Sequence, residues 1–293
     1  MNMTEDKISA QAIRTVGVVG CGLMGSGIAQ VCAQSGYRTI VREVDDATVS
    51  KGLGRIESFL SQGVARGKQS EEEKARTLSN LSGTTDLEDL ATCDLVIEAI
   101  VENLDAKREL LATLDRAVGG DAIFASNTSS LCITEMAAAT TRPERFVGLH
   151  FFSPVPIMKM VEVIRGLVTS DETFERGYAF VKTLGKEPVA APDRPGFIVN
   201  RLLIPYLLDA VRAYESGLGT IEDIDKSMTL GCGHPMGPFT LLDFVGLDTT
   251  YYIANIMWDE FRNPAYAAPT LLRRMVLAGR LGRKSGRGFY EYS

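Results

Sequence analysis

The chain has 293 residues, 45% hydrophobic and 23% charged, the composition of an ordinary globular protein with room for two domains. A formal net charge of -6 without a long basic run argues against nucleic acid as the main partner, and no apolar segment approaches the length that spans a membrane. Five scattered cysteines with no CxxC give no metal spacing and fit free thiols in a reducing compartment, while the opening MNMTEDKISAQAI resembles neither a signal nor a transit peptide, so a cytoplasmic protein without a bound metal is expected.

Thr15 to Val19 is a short β-branched run that leads into Gly20-Cys21-Gly22-Leu23-Met24-Gly25 and then a helical pattern through Ile28 and Val31. This is GxGxxG between a strand and a helix, the setting in which it binds a dinucleotide. The first glycine allows the tight turn, the second lets backbone approach a pyrophosphate, and the third lets helix and strand pack closely. The next strand, Arg38 to Val41, ends at Arg42-Glu43. A carboxylate there suits ribose hydroxyls and repels a 2′-phosphate, which favours NAD; Arg42 pulls toward NADP.

Residues 46–80 are too long for one crossover helix. A break near Gly63 and Gly67 and a capping box at Ser70 and Glu73 predict a helical hairpin standing off the sheet. Arg66 and Lys68 at its tip either meet ligand phosphates or form a solvated turn. Asp94 to Ala99 reads as a buried parallel strand, with Glu102 and Lys107 following above the sheet's carboxyl edge. Ala122 to Ala125 is the next strand. Ser126-Asn127-Thr128-Ser129-Ser130 after it is either a helix cap or a set of donors at a reacting centre.

Phe146 to His150 continues the strands. Ser153-Pro154-Val155-Pro156 interrupts, because proline lacks the ladder donor, and Met158 to Ile164 resumes. Alternation puts Glu162 on one face with Met160 and Ile164, where a carboxylate is costly unless paired. If the chain reverses near Pro156, His150 and Glu162 face each other, and a carboxylate on one imidazole nitrogen leaves the other as a base. A satisfied core histidine beside an edge-strand glutamate fits the same residues.

The strand–helix alternation predicts a Rossmann-like, doubly wound, mostly parallel sheet with a helical hairpin insertion over residues 1–192. An all-α domain is expected over 193–293. There Phe197 to Ala210 is apolar on nearly all sides and is expected to be a buried helix, with Asn200 as its polar exception and Pro205 a candidate kink. So apolar a helix in so small a domain suggests burial against another subunit. Thr220 with Asp223 starts a further helix, His234 to Pro238 is a turn, and strand character returns only at Gly288-Phe289-Tyr290.

Together these residues resemble the L-3-hydroxyacyl-CoA dehydrogenase family, in particular its bacterial 3-hydroxybutyryl-CoA branch. The resemblance is carried, in order, by Gly20-x-Gly22-x-Met24-Gly25-x-Gly27, Glu98-Ala99-x-x-Glu102, Ser126 to Ser130 and His150-Phe151-Phe152. It continues through Pro195-Gly196-Phe197-x-x-Asn200-Arg201, His234 to Pro238 and Gly282 to Tyr290. It implies oxidation of a short-chain (S)-3-hydroxyacyl-CoA with NAD, His150 as general base, Glu162 as its orienting partner, and Ser126 and Asn200 as substrate contacts and donors to the C3 oxygen. Gly20, Gly22, Leu23, Met24 and Gly25 would cradle the pyrophosphate; Glu43, Glu102, Lys107, Ser126, Ser153 and Lys284 would be further cofactor contacts. The helical domain would form a homodimer, the hairpin would reach the CoA part, and His234 is kept structural. Two departures stand out: the family usually reads HFFNP where this chain has Ser153, and Phe59 stands where some relatives have a CoA-binding serine. A dehydrogenase of another 3-hydroxy compound, or a non-catalytic NAD-binding structural protein, are the alternatives; the intact Ser126, His150, Glu162 and Asn200 set argues against the second.

Overall fold

The computed structural model describes residues 13–292. By contacts the chain divides into two compact units, the first ending at Asp193 and the second beginning at Arg194.

Among the described residues the first unit holds an eight-stranded sheet of order β3-β2-β1-β4-β5-β6-β7-β8. The strands are β1 (Thr15–Val19), β2 (Arg38–Arg42), β3 (Leu81–Thr84), β4 (Leu95–Glu98), β5 (Ile123–Ser126), β6 (Phe146–Phe151), β7 (Met160–Arg165) and β8 (Glu187–Pro192). Neighbours pair in parallel except β6 with β7, which run antiparallel. Strands covered on both faces carry no polar alternation, and Leu95, Val96, Ile97 and the whole of β6 are buried accordingly. Two strands were not anticipated. β3 reads LSGT, with neither length nor periodicity, and β8 reads EPVAAP, whose prolines mask an edge strand. β7 begins at Met160, two residues later than expected, because residues 154–158 form a turn in which Pro154 carbonyl accepts from the amides of Ile157 and Met158.

Helix α1 (Leu23–Gln34) follows the glycine turn and is buried from Gly25 to Ala33. The anticipated hairpin is α2 (Asp46–Ala65) and α3 (Glu71–Ser79). Gly67 at φ +66° makes the turn, and the Ser70–Glu73 capping box is present in full. Asn80 Nδ2 donates to the Ala33 carbonyl at 3.0 Å and ties the hairpin's exit to the end of α1. Helices α4 (Leu104–Ala117), α5 (Ile133–Ala137) and α6 (Asp171–Thr183) complete the unit.

The second unit is helical, with α7 (Val199–Glu215), α8 (Ile221–Cys232), α9 (Pro238–Val245), α10 (Leu247–Phe261) and α11 (Thr270–Leu277) around a core of Leu207, Leu208, Phe239, Leu242 and Met257. Helix α7 departs from the expectation of all-round burial. Ile204, Leu207, Leu208 and Val211 face that core, whereas Leu202 is 71% exposed. Pro205 lies inside the helix, as expected. Where strand character was expected at 288–290 the chain bends between isolated bridges at Arg287 and Glu291, and Asp243 takes the amides of Phe289 and Tyr290 at 2.9 and 2.8 Å in place of a sheet partner. No helix among the described residues is long and apolar enough to cross a membrane.

Candidate active site

The glycine turn is built for backbone, not side chains. Gly20 has φ +92°, and a Cβ there would lie 2.6 Å from the Ala99 carbonyl oxygen; a Cβ on Gly25 would lie 1.8 Å from the Gly20 carbonyl oxygen. Gly22 differs: a Cβ would meet nothing within 4 Å, so its glycine leaves an open backbone surface at the helix start. Helix α1 has no side-chain cap at Gly22 and no acid in its first turn. With no acidic side chain in its own first turn, its N-terminal dipole faces the open side of the turn at Gly22, which fits a pyrophosphate. Leu23 is exposed and Met24 half-buried beside it.

Glu43, at the end of β2, accepts from the Cys21 amide at 2.5 Å. Its neighbour Arg42 is turned to the Thr85 carbonyl, Nε to O 3.3 Å, so the cation beside the ribose acid is engaged with backbone. Arg55 of α2, which the sequence reading passed over, donates from Nη1 to the Cys21 carbonyl at 3.0 Å. Between this acid and this base the turn is fixed at both its amide and its carbonyl. Burial, with Glu43 adding to it, pushes the Cys21 thiol up to about 11.

At the carboxyl ends of β4 and β5 lies a buried polar network. Lys107 Nζ is 2.6 Å from Glu98 Oε1 and 3.3 Å from Glu102 Oε2. Ser126 Oγ donates to Glu98 Oε2 at 2.6 Å and accepts from the Thr128 amide at 3.2 Å. Glu102 Oε1 gathers the Thr128 hydroxyl at 2.6 Å and the Ser129 amide at 2.8 Å. Burial pushes the Glu102 carboxyl up, but the Lys107 charge and the bonds from Thr128 and Ser129 outweigh it and hold it below the ordinary carboxylate range. Lys107 and Ser126 are thus inside the protein, at 1% and 0% exposure, where the sequence suggested direct ligand contacts. Ser126 in particular gives its single proton to Glu98.

His150 and Glu162 face each other across the antiparallel β6–β7 pair, in register, as the reversal near Pro156 requires. Nδ1 to Oε2 is 2.7 Å, with His150 at 6% and Glu162 at 0% exposure. The carboxylate acceptor assigns the proton to Nδ1. Two residues hold this strand end: Asn127, expected only as one of five cap or donor residues after β5, and Lys186, for which the sequence held no expectation. Asn127 Oδ1 accepts from the Phe151 amide at 3.0 Å. Lys186 Nζ, itself buried, donates to the Val155 and Met158 carbonyls at 2.6 and 2.7 Å and closes the turn that carries the exposed Ser153. Gly27 lets that turn reach α1, since a Cβ there would stand 2.8 Å from Val155. No local pattern in the sequence announces these long-range ties.

Asn200 and Lys284 belong to the second unit. Asn200 is half-buried in the first turn of α7, and Lys284 Nζ stands 2.5 Å from Asp248. His234 Nδ1 is 3.3 Å from the Tyr206 hydroxyl, in the turn before α9. Asp225 accepts there from the Phe239 and Thr240 amides. Arg66 and Lys68 are exposed at the hairpin tip, and Phe59 is 39% exposed on α2. Among the described residues no group of His, Cys, Asp and Glu is arranged to hold a metal ion.

Comparison with known proteins matches residues 15–194 to the 3-hydroxyacyl-CoA dehydrogenase NAD-binding domain and residues 196–292 to the C-terminal domain of the same family. A 3-hydroxybutyryl-CoA dehydrogenase of Mycobacterium tuberculosis is 52% identical over 97% of this chain and 100% of its own length. The mitochondrial hydroxyacyl-coenzyme A dehydrogenase of Homo sapiens is 49% identical over 96% of this chain and 91% of its own. The crystal structure of (S)-3-hydroxybutyryl-CoA dehydrogenase from Ralstonia eutropha superposes with a TM-score of 0.93 at 47% identity, covering 96% of this chain and 100% of that one. Two domain matches in order, on a fold whose glycine turn fits a dinucleotide, place this chain in the 3-hydroxyacyl-CoA dehydrogenase family.

Proposed function

We propose that this protein oxidises (S)-3-hydroxyacyl-CoA, with 3-hydroxybutyryl-CoA as the simplest substrate, to 3-ketoacyl-CoA and catalyses the reverse reduction. The observation that carries the reading is the His150–Glu162 pair at 2.7 Å, buried on the same sheet as the glycine turn. NAD, when bound, accepts a hydride from C3 or returns it as NADH. With Nδ1 engaged by Glu162, His150 takes the 3-hydroxyl proton at Nε2, and in the reverse direction gives it to the 3-keto oxygen. Glu162 stabilises the imidazolium that forms. Charge on the C3 oxygen is met by that imidazolium, and Ser126, its hydroxyl directed by Glu98, belongs to the same site. Glu43 receives ribose hydroxyls, and Glu102 faces the cofactor from the β4–α4 edge. Ser153 is a further cofactor contact, and Lys107 acts on the cofactor through Glu102, whose carboxylate it holds at 3.3 Å.

A homodimer formed through the helical unit belongs to the same proposal. Leu202, Leu218, Leu230 and Leu277, each more than two-thirds exposed, support it. A cytoplasmic location is proposed too, on the five unpaired cysteines. The deciding experiment is a steady-state assay with acetoacetyl-CoA and longer 3-ketoacyl-CoAs, using NADH and NADPH in turn. Turnover of the thioesters with NADH is expected. Turnover of free 3-hydroxy acids and none of thioesters would move the protein to another 3-hydroxy substrate.

A further inference from the structure

Glu98 ends β4 at 0% exposure, beside Ser126 in the parallel β4–β5 register. The residues before it on β4, Leu95, Val96 and Ile97, show what the strand uses where packing alone decides. A buried carboxylate and a buried ammonium in that layer are expensive unless every lone pair and proton is placed. Here three donors meet the carboxylate, and two carboxylates meet the ammonium. Glu98 Oε1 accepts from Lys107 Nζ at 2.6 Å and from the Ile100 amide at 2.7 Å, and Oε2 accepts from Ser126 Oγ at 2.6 Å. Lys107 bridges on to Glu102, whose side chain, 26% exposed, is where the network reaches the surface. Glu98 therefore touches the serine, the lysine and the turn that together shape this edge of the sheet, while it is itself sealed from any ligand.

We propose that Glu98 is a positioning residue for the reaction. It fixes the rotamer and hydrogen direction of Ser126 and, through Lys107, the carboxylate of Glu102. This rests on the functional reading above, in which Glu102 faces the cofactor and Ser126 belongs to the substrate site. Glu98→Gln keeps the volume, but its amide cannot accept from Ser126 while its oxygen serves Lys107 and Ile100, so the serine hydroxyl must turn. The expected result is a loss of about tenfold to a hundredfold in kcat/KM for NADH, the range for a hydrogen bond to a charged group. The discriminating measurement is a double-mutant cycle with Ser126→Ala on kcat/KM, with folding of each variant checked by thermal melting. If Glu98 acts through Ser126, the double variant is little worse than the poorer single one. A buried group that only stabilises the fold would leave the two losses to multiply, and that outcome, or unchanged kcat/KM in Glu98→Gln, overturns the inference. If Glu98→Gln does not fold, Glu98→Asp takes its place in the cycle, since it keeps the charge beside Lys107 and withdraws both oxygens by one methylene. The wild type is assayed first; its inactivity on acyl-CoA thioesters would overturn the functional reading and this inference with it, whereas an active wild type with an additive cycle overturns the inference alone.

Discussion

Replacing Glu162 by glutamine tests the base assembly most directly. The side chain is fully buried and its Oε2 lies 2.7 Å from His150 Nδ1, so the substitution keeps shape and removes the charge. If the glutamine oxygen faces Nδ1, the tautomer survives and only the charge-assisted part of the bond is lost. A bond to a charged group nets about 1.5–3 kcal/mol and a neutral one about 0.5–1.5, so that part is about 1–1.5 kcal/mol, or about fivefold to tenfold in kcat when the imidazolium forms at the transition state. If the amide faces Nδ1, the proton moves to Nε2, the base is lost, and the fall approaches about 10⁴-fold. Either way kcat for acetoacetyl-CoA reduction falls by at least about fivefold, while the affinity for NADH, measured by calorimetric titration, stays within about threefold of wild type. Thermal stability provides the control, because exchanging a buried charge for a neutral amide is often neutral or stabilising. A variant that melts higher and turns over slower separates catalysis from folding. A folded Glu162→Gln enzyme with wild-type kcat would refute the dyad.

Other expectations follow from the same geometry. His150→Gln should lose at least about 10²-fold in kcat with NADH binding retained, as read by titration and single-turnover kinetics; near-normal turnover would remove His150 from the mechanism. Wild type should prefer NADH to NADPH in kcat/KM, and Glu43→Ala should narrow the gap, since the Arg42 guanidinium is held by Thr85 while Glu43 repels a 2′-phosphate; an initial NADPH preference would reverse that weighting. Ser153→Asn should tighten NAD binding by about twofold to tenfold, one neutral hydrogen bond, and change kcat little; weaker binding by calorimetry would show that the exposed turn is fitted to serine. The Glu102 carboxyl is held below its ordinary value of 4.5 in the folded state, so its stabilisation is present above about pH 4.5 and is lost as pH falls through the lower folded value. Glu102→Gln should therefore flatten the fall in urea midpoint as pH drops below about 4.5, and an unchanged slope would count against the Lys107 and Thr128 contacts.

The local features were legible because their causes are local. A glycine at φ +92° whose Cβ would strike the Ala99 carbonyl is visible as GxGxxG after a β-branched run, and the Ser70–Glu73 capping box needs only residues three apart. His150 and Glu162 were readable as a pair because strand alternation and two prolines leave few ways for the chain to return, and the reversal then sets their register. The short edges β3 and β8 were not readable. Four residues without periodicity, or six with two prolines, become strands only because a neighbouring edge offers ladder partners.

By itself, then, the sequence determined what depends on backbone preference and side-chain period: the glycine turn, the capping box, the buried strands, the helical second half, and the chemical types at the site. Tertiary structure alone decided where charges and protons go. It folded Lys107 inward between Glu98 and Glu102, gave the Ser126 proton to Glu98, turned Arg42 to Thr85, and used Arg55, Asn127 and Lys186 to hold the turns around the site. It also left Leu202 uncovered on a helix whose composition suggested complete burial. The reason is one of range. Conformational preference is settled among neighbours in the chain, whereas the partner of a buried polar group is whichever distant residue the packed sheet brings within about 3 Å, and burial makes leaving that group without one too costly.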